Sequence, residues 1–319
     1  MLEQKILITG YTGFVGNALL PHISNSSIIL VGRHDVRSAY GKFYCRRLDS
    51  SEQFGDCLEG VSVIIHCAAQ VHVMNDKAED TIPVFKEVNT LGTLNLARQA
   101  ATAGVKRFIF VSSIKVNGES TSRCSPFRFN DYCHPQDPYG LSKYEAEIGL
   151  KKLATETDME VVIIRPPLVY GPGVKANFSS LMNLVYKGIP LPFGCITQNK
   201  RSLVSISNLV DLIITCIDHP KAANQVFLVS DDHDVSTSEM VREMAKALNK
   251  PVWQLHLPVW CYKLAGKLFS KSDIVDRLTG SLQVDITHTK ETLDWIPKET
   301  MQEGFKKTAV AFLQSKSSR

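Results

Sequence analysis

No apolar stretch in this 319-residue chain is long enough to cross a bilayer as a helix. The longest candidate, 257–269, is interrupted by Lys263 and Lys267 and reads as a packed helix rather than a membrane anchor. Net charge is nearly absent too. The 36 basic and 32 acidic residues leave +4, with the basic ones scattered or in pairs such as Arg46-Arg47 and Lys306-Lys307. That pattern excludes a nucleic-acid stripe, yet a few cations in a cleft would suit an anionic nucleotide. The eight cysteines include no Cys-x-x-Cys pair and no Cys/His cluster with metal spacing. Cys67 and Cys216 lie in apolar runs, where a thiol behaves as a small hydrophobe, so free thiols in a reducing cytoplasm are expected. Met1-Leu2-Glu3-Gln4 runs straight into a strand, which leaves no room for a signal peptide. Repeats and low-complexity segments are lacking as well, and only 315–319 reads as a frayed tail.

What is present is an alternation of short apolar strands with helical periods. Strands are expected at 5–9, 28–32, 43–47, 61–66, 107–112 and 160–165, and helices at 14–23, 51–59, 82–103, 138–156 and 207–218. Continuous apolar strands separated by helices imply a parallel sheet covered on both faces, hence a doubly wound α/β fold of Rossmann type. Pro166-Pro167 and Gly171-Pro172-Gly173 break the alternation. The expected division is a dinucleotide-binding domain over 1–166, to which 196–229 partly returns. A smaller, mostly C-terminal substrate-binding lobe takes 167–195 and 230–319.

The first strand runs into Gly10-Tyr11-Thr12-Gly13-Phe14-Val15-Gly16 and then a helix opening. Gly10 suits the tight turn, Gly13 the approach of a pyrophosphate, and Gly16 the packing of helix on strand. The spacing is Gly-x-x-Gly-x-x-Gly. A phosphate there would meet the unpaired N–H groups at the helix start. At the end of the second strand, where an NAD site usually carries an acid, the chain has Gly32 followed by Arg33. Arg33 could bind a ribose phosphate bidentately, so NADP is favoured, while nearby Asp35 keeps NAD open.

Tyr139 and Lys143, four residues apart, fall on one face of a helix. An ammonium beside a phenol favours the phenolate and draws its pKa down toward working pH. The pair reads as a proton-transfer device for a carbonyl/alcohol couple.

These motifs together resemble the extended short-chain dehydrogenase/reductase family, especially its nucleotide-sugar epimerases, dehydratases and 4-ketoreductases. His66-Cys67-Ala68-Ala69 is similar to a signature beside the cofactor. Val88-Asn89 with Gly92-Thr93 resembles a helix motif, and Phe110-Val111-Ser112-Ser113 a strand ending in a catalytic hydroxyl. Arg165-Pro166-Pro167-Leu168-Val169-Tyr170-Gly171-Pro172 is similar to a turn of the same family. The resemblance implies Ser113, Tyr139 and Lys143 as catalytic residues. It implies cofactor contacts from the loop Gly10 to Gly16, from Leu48 and Asp49 toward adenine, and from Cys67, Ala68, Ala69, Asn89 and Pro166.

On the substrate side it implies that Arg201 binds a diphosphate, with Arg277 as a second candidate cation. Asn177 and the loop Leu191-Pro192-Phe193-Gly194 correspond to parts that hold pyrophosphate and uracil. Ser205 stands where the family usually has His. Lys115 and Asn117 replace the Tyr-Gly common in epimerases and would sit near the sugar. That variant resembles enzymes acting on UDP-4-keto-6-deoxy-N-acetylhexosamines in bacterial surface-polysaccharide synthesis.

The expected activity is therefore reduction of a UDP-ketosugar at C-4 by NADPH. The alternatives are a UDP-sugar 4-epimerase with tightly held NAD and a non-catalytic dinucleotide sensor. A homodimer follows only by family analogy, through the helices holding Asn89 and Tyr139.

Overall fold

The computed structural model describes residues 4–23, 27–34, 40–71, 78–122, 125–268 and 272–317. The side chains at 78–81, 176, 177, 265 and 273 lie outside that description. In chain order the first half comprises β1 (Lys5–Thr9), α1 (Phe14–Leu19), β2 (Ser27–Gly32), β3 (Lys42–Cys45), α2 (Gly55–Leu58), β4 (Val63–His66), α3 (Ala78–Phe85), α4 (Thr93–Thr102), β5 (Arg107–Val111), α5 (Pro138–Glu156) and β6 (Glu160–Arg165). Then come β7 (Leu168–Tyr170), α6 (Ala176–Tyr186), β8 (Arg201–Ser205), α7 (Ile206–Asp218), β9 (Val226–Leu228), β10 (Asp234–Val235), α8 (Thr237–Ala247), α9 (Val259–Leu268), α10 (Ser272–Thr279), α11 (Thr287–Leu293) and α12 (Met301–Ser317).

Among the described residues, seven strands form one all-parallel sheet in the order β3-β2-β1-β4-β5-β6-β9. Successive side chains on a strand point to opposite faces, and the two cores divide accordingly. Ile6, Ile8, Ile28 and Leu30 join the layer with Leu209 and Ile213 of α7. Leu7, Ile29 and Val31 join the layer with Leu96 of α4 and Leu150 of α5. Both faces are dry, which is why these strands are continuously apolar. The expected doubly wound fold is what the chain adopts. Its order reverses between β1 and β4, so the ligand crevice of such a sheet opens at their carboxyl ends.

A second, three-stranded sheet runs β10-β8-β7. Beside it α6, α8 and α12 close a third core around the buried ring of Tyr170. The Tyr170 hydroxyl donates to Asp231, 2.7 Å away. Asp231 also accepts from the Ser205 amide and from Asn208. Ser205, where a His was the usual residue, caps α7 by accepting from the Asn208 amide at 3.1 Å.

Several expected boundaries shift for identifiable reasons. α1 stops at Leu19, and a single 3₁₀ turn over Leu20–His22 takes in Pro21, which cannot continue the α ladder. The helix expected over 82–103 is two helices joined by a π turn at Lys86–Gly92. Gly92 permits the joint to press on the loop after β3, because a Cβ there would lie 2.6 Å from the Leu48 carbonyl carbon. The segment 257–269 does contain a helix, α9, but not a fully packed one: Trp260, Leu264 and Leu268 are exposed. No helix among the described residues is long and apolar enough to cross a membrane.

His66, at the end of β4, is wholly buried and hydrogen-bonded to Thr9 at 2.8 Å and to Thr93 at 3.0 Å. Burial above all, and then the charge of Lys143, lower its pKa to about 3. The unfolded chain therefore binds a proton near pH 6.5 that the folded protein refuses until about pH 3. Stability contributed by neutral His66 is present above pH 6.5 and lost as pH falls through that window. The His66→Asn variant should lose stability less steeply between pH 6.5 and 4 than the parent, as urea midpoints across that range would show.

Candidate active site

The groove at the carboxyl ends of β1, β2 and β4 has a volume of about 830 Å³. Its floor is the glycine loop. Gly10 holds φ +69°, and a Cβ on it would lie 2.5 Å from the Ala68 amide nitrogen. A Cβ on Gly16 would lie 2.3 Å from the Gly10 carbonyl oxygen. The turn after β1 can therefore close on the loop after β4 and on α1 only without side chains at Gly10 and Gly16. Gly13, extended at the start of α1, leaves the first amides of that helix without a side-chain cap, as an anion-binding turn requires. Thr12, Gly13, Arg33, Leu48, Asp49, Cys67, Ala68 and Ala69 line the groove. Phe14 and Val15 pack against the sheet core. The volume, the bare backbone floor and the polar rim fit an extended dinucleotide.

Two features bear on which dinucleotide. Arg33 is exposed at the rim and has no acidic partner among the described residues. Gly32, however, lies beneath the Tyr11 ring, whose edge would be 3.0 Å from an added Cβ. Packing against Tyr11 thus accounts for the missing acid at position 32 without invoking a ribose phosphate. Asp35 lies outside the described residues.

At the other end of the groove, Ser113 follows β5 in extended conformation and its hydroxyl accepts from the Lys115 amide. The Pro166 carbonyl accepts from the Ile114 amide at 3.0 Å, which fixes this corner. α5 begins at Pro138, with Asp137 as its cap accepting from the Gly140 amide. Tyr139 stands in the first turn of α5, half-buried and edge-on to Phe85. Lys143, one turn on, is buried. Its ammonium donates to the Val111 carbonyl at 3.0 Å and lies 4.4 Å from the centre of the Phe110 ring. Burial lowers its pKa to about 8.

The expected downward shift of the phenol is not found. Burial, and then the charge of Asp137, push Tyr139 above its ordinary value, because Lys143 is turned toward the strand end.

Asn89, in the π turn, takes a different part from the direct cofactor contact expected. Its oxygen accepts from the Gln70 amide, and its nitrogen donates to the Gln70 carbonyl and to the Ser142 hydroxyl. It ties the loop after β4 to the helix carrying Tyr139 and Lys143. Asn117 is likewise occupied, accepting from Arg165 at 2.9 Å and donating to the Arg128 carbonyl, and is buried rather than facing a sugar. Lys115 is ion-paired with Glu119 and Asp137. The special sugar contacts expected of 115 and 117 are thus replaced by contacts within the protein.

In the lobe, Leu191 turns into the third core and Phe193 packs partly against it. The side chain of Asn177 lies outside the described residues. Arg201 donates to the Arg277 and Gly280 carbonyls. Burial, and then the like charge of Arg277, lower its pKa. Neither guanidinium has an acidic partner among the described residues.

The sequence reading missed Glu147. It sits one turn beyond Lys143 on the same face of α5 and is buried against Arg165, with Arg165 Nε 3.0 Å from Oε1. The Ser112 hydroxyl donates to the same oxygen at 2.6 Å. The signal was available, because positions 139, 143 and 147 repeat at helical spacing.

The comparisons agree with this geometry. The model of the NAD dependent epimerase/dehydratase family matches residues 6–230, and the chain belongs to that family. It is an NAD(P)-dependent enzyme of the extended short-chain dehydrogenase/reductase type. UDP-glucose 4-epimerase of Vibrio cholerae is 63% identical over 98% of this chain and 97% of its own.

Among solved structures, MoeE5 in complex with UDP-glucose and NAD matches with a TM-score of 0.79, at 22% identity over 98% of this chain and 99% of that one. UDP-glucose 4-epimerase from Thermotoga maritima, solved with UDP-glucose, matches at 0.76, 21% identity, 98% and 99%. At these identities the two structures speak to the fold.

The Vibrio relative overturns the ketoreductase expectation drawn from Gly32-Arg33 and from positions 115 and 117.

Removing the Glu147 charge would leave the Arg165 guanidinium buried without a counter-ion, a loss of about 3–5 kcal/mol. Glu147→Gln should lower the denaturation midpoint accordingly, and Glu147→Leu with Arg165→Met should recover part of the loss.

Proposed function

We propose that this protein is a UDP-hexose 4-epimerase that retains NAD through the cycle. The observation that carries the reading is the Vibrio cholerae UDP-glucose 4-epimerase, 63% identical across nearly the whole chain. The NAD named in the MoeE5 structure supports NAD, and Tyr11 packing over Gly32 removes the case for NADP that rested on the missing acid.

In this reading the glycine loop and the groove behind it hold the dinucleotide, which supplies a hydride acceptor and donor at the sugar C-4. Tyr139 exchanges the proton of the C-4 oxygen as general base and acid, and Ser113 hydrogen-bonds the same oxygen where charge develops. The phenol, raised by burial, needs a cation to work near neutrality. Lys143 would supply it with a small displacement from the Val111 carbonyl. Arg201 and Arg277 anchor the diphosphate, so the hexose can rotate about that anchor and present its other face. The exposed Leu141 and Ile148, seven apart on α5, suit the homodimer face shared with α4.

The decisive assay follows interconversion of UDP-glucose and UDP-galactose by the purified protein without added cofactor, with released dinucleotide identified by mass. Stoichiometric oxidation of added NADPH without interconversion would refute the reading. Tyr139→Phe should keep its cofactor while turnover falls by roughly two to four decades, measured as kcat. Arg201→Ala should raise KM by about ten- to a hundredfold, the usual weight of a charge-assisted contact, with a smaller change in kcat.

A further inference from the structure

The chain has only three tryptophans, and two of them stand in the solvent. Trp295 is 4% exposed, whereas Trp253 is 59% and Trp260 65% exposed. They belong to one stretch. Trp253, Leu255 and Leu257 alternate along an extended segment, and α9 continues it with Trp260, Leu264 (59%) and Leu268 (77%), four apart on one helical stripe. The inner side of α9 is the one that packs, with Gly266 against Val275 of α10. Among the described residues, nothing covers the outer stripe.

Its charge is as one-sided as its apolarity. From Lys250 to Ser272 the sequence contains no Asp or Glu. Lys263 and Lys267 are exposed, lie along one flank of the Trp260–Leu264–Leu268 stripe, and have no ionic partner among the described residues. Tryptophan and leucine on one side with lysine beside them is the pattern of a helix lying in a lipid headgroup layer. Tryptophan prefers that boundary, and lysine reaches the phosphates while its stem stays apolar.

A second copy of the chain fits less well, because a symmetric contact through this face would set lysines against lysines. We propose that the face formed by 253–257 and α9 docks peripherally on anionic phospholipid bilayers.

The docking face is coupled to the substrate lobe. The Leu191 amide donates to the Trp253 carbonyl, the Leu255 amide to the Leu191 carbonyl, and the Gly194 amide to the Leu255 carbonyl. The 191–194 loop and the bilayer-facing segment are thus one small ladder. The proposal stands apart from the epimerase reading, since it needs no catalysis.

The test is co-sedimentation of the full-length protein with vesicles of phosphatidylcholine containing phosphatidylglycerol, and with phosphatidylcholine alone. Tryptophan emission is read in parallel. The expected result is binding to the anionic vesicles with a blue shift, weakened by high salt. Lys263→Glu with Lys267→Glu should weaken it at least about tenfold. Trp260→Ala with Leu264→Ala should abolish the blue shift while circular dichroism and soluble-substrate turnover stay unchanged. Absence of binding would overturn the proposal, as would equal binding to neutral vesicles by parent and lysine variants. So would a solution dimer that Leu264→Glu dissociates.

Discussion

The buried ion pair between Glu147 and Arg165 is the constraint on which the rest of the site depends. Two charges taken out of water repay their desolvation only when every lone pair and proton finds a partner. Here Glu147 also accepts from Ser112, while Arg165 also reaches Asn117 and Cys133. One carboxylate therefore fixes α5 against the ends of β5 and β6. Lys143 lies one turn before it and Tyr139 two turns before it, so their heights above the sheet follow from that bond.

A second layer of positioning comes from groups without charge. Asn89 uses a local π turn to reach both the loop after β4 and Ser142 beside Tyr139. His66 does the same between β1 and α4 through two threonines. Both side chains are fully buried, so each lost bond would strand a polar atom away from water. These ties make the walls of the groove rigid, while the Arg33 side of the rim stays open to solvent.

Much of this was legible in the sequence, and for physical reasons. Continuous apolar strands alternating with helical periods admit few folds, and Gly10 and Gly16 are demanded by backbone contacts that no side chain permits. Tyr139 and Lys143 were singled out by helical spacing, and Ser113 by its resemblance to a family strand that ends in a hydroxyl. What escaped was contact that depends on three-dimensional neighbours. Asn117 and Lys115 looked free in one dimension, yet partners at Arg165 and Asp137, far along the chain, had already engaged them. Leu191 read as a ligand contact but filled a hydrophobic core. The helix over 259–268 read as packed because its lysines hid how few residues cover its tryptophan stripe. The preference for NADP rested on the absent carboxylate at Gly32, and that absence follows equally from a ring lying over the same atom.

That ring carries an evolutionary corollary. With Tyr11 pressed against Gly32 and its hydroxyl donating to the His34 carbonyl, any side chain at 32 would need the ring to give way by a few tenths of an ångström. Acquiring the ribose-binding acid of a common NAD site at 32 would therefore go together with a smaller or displaced side chain at 11. Positions 11 and 32 are thus expected to covary, tied by a single ring contact.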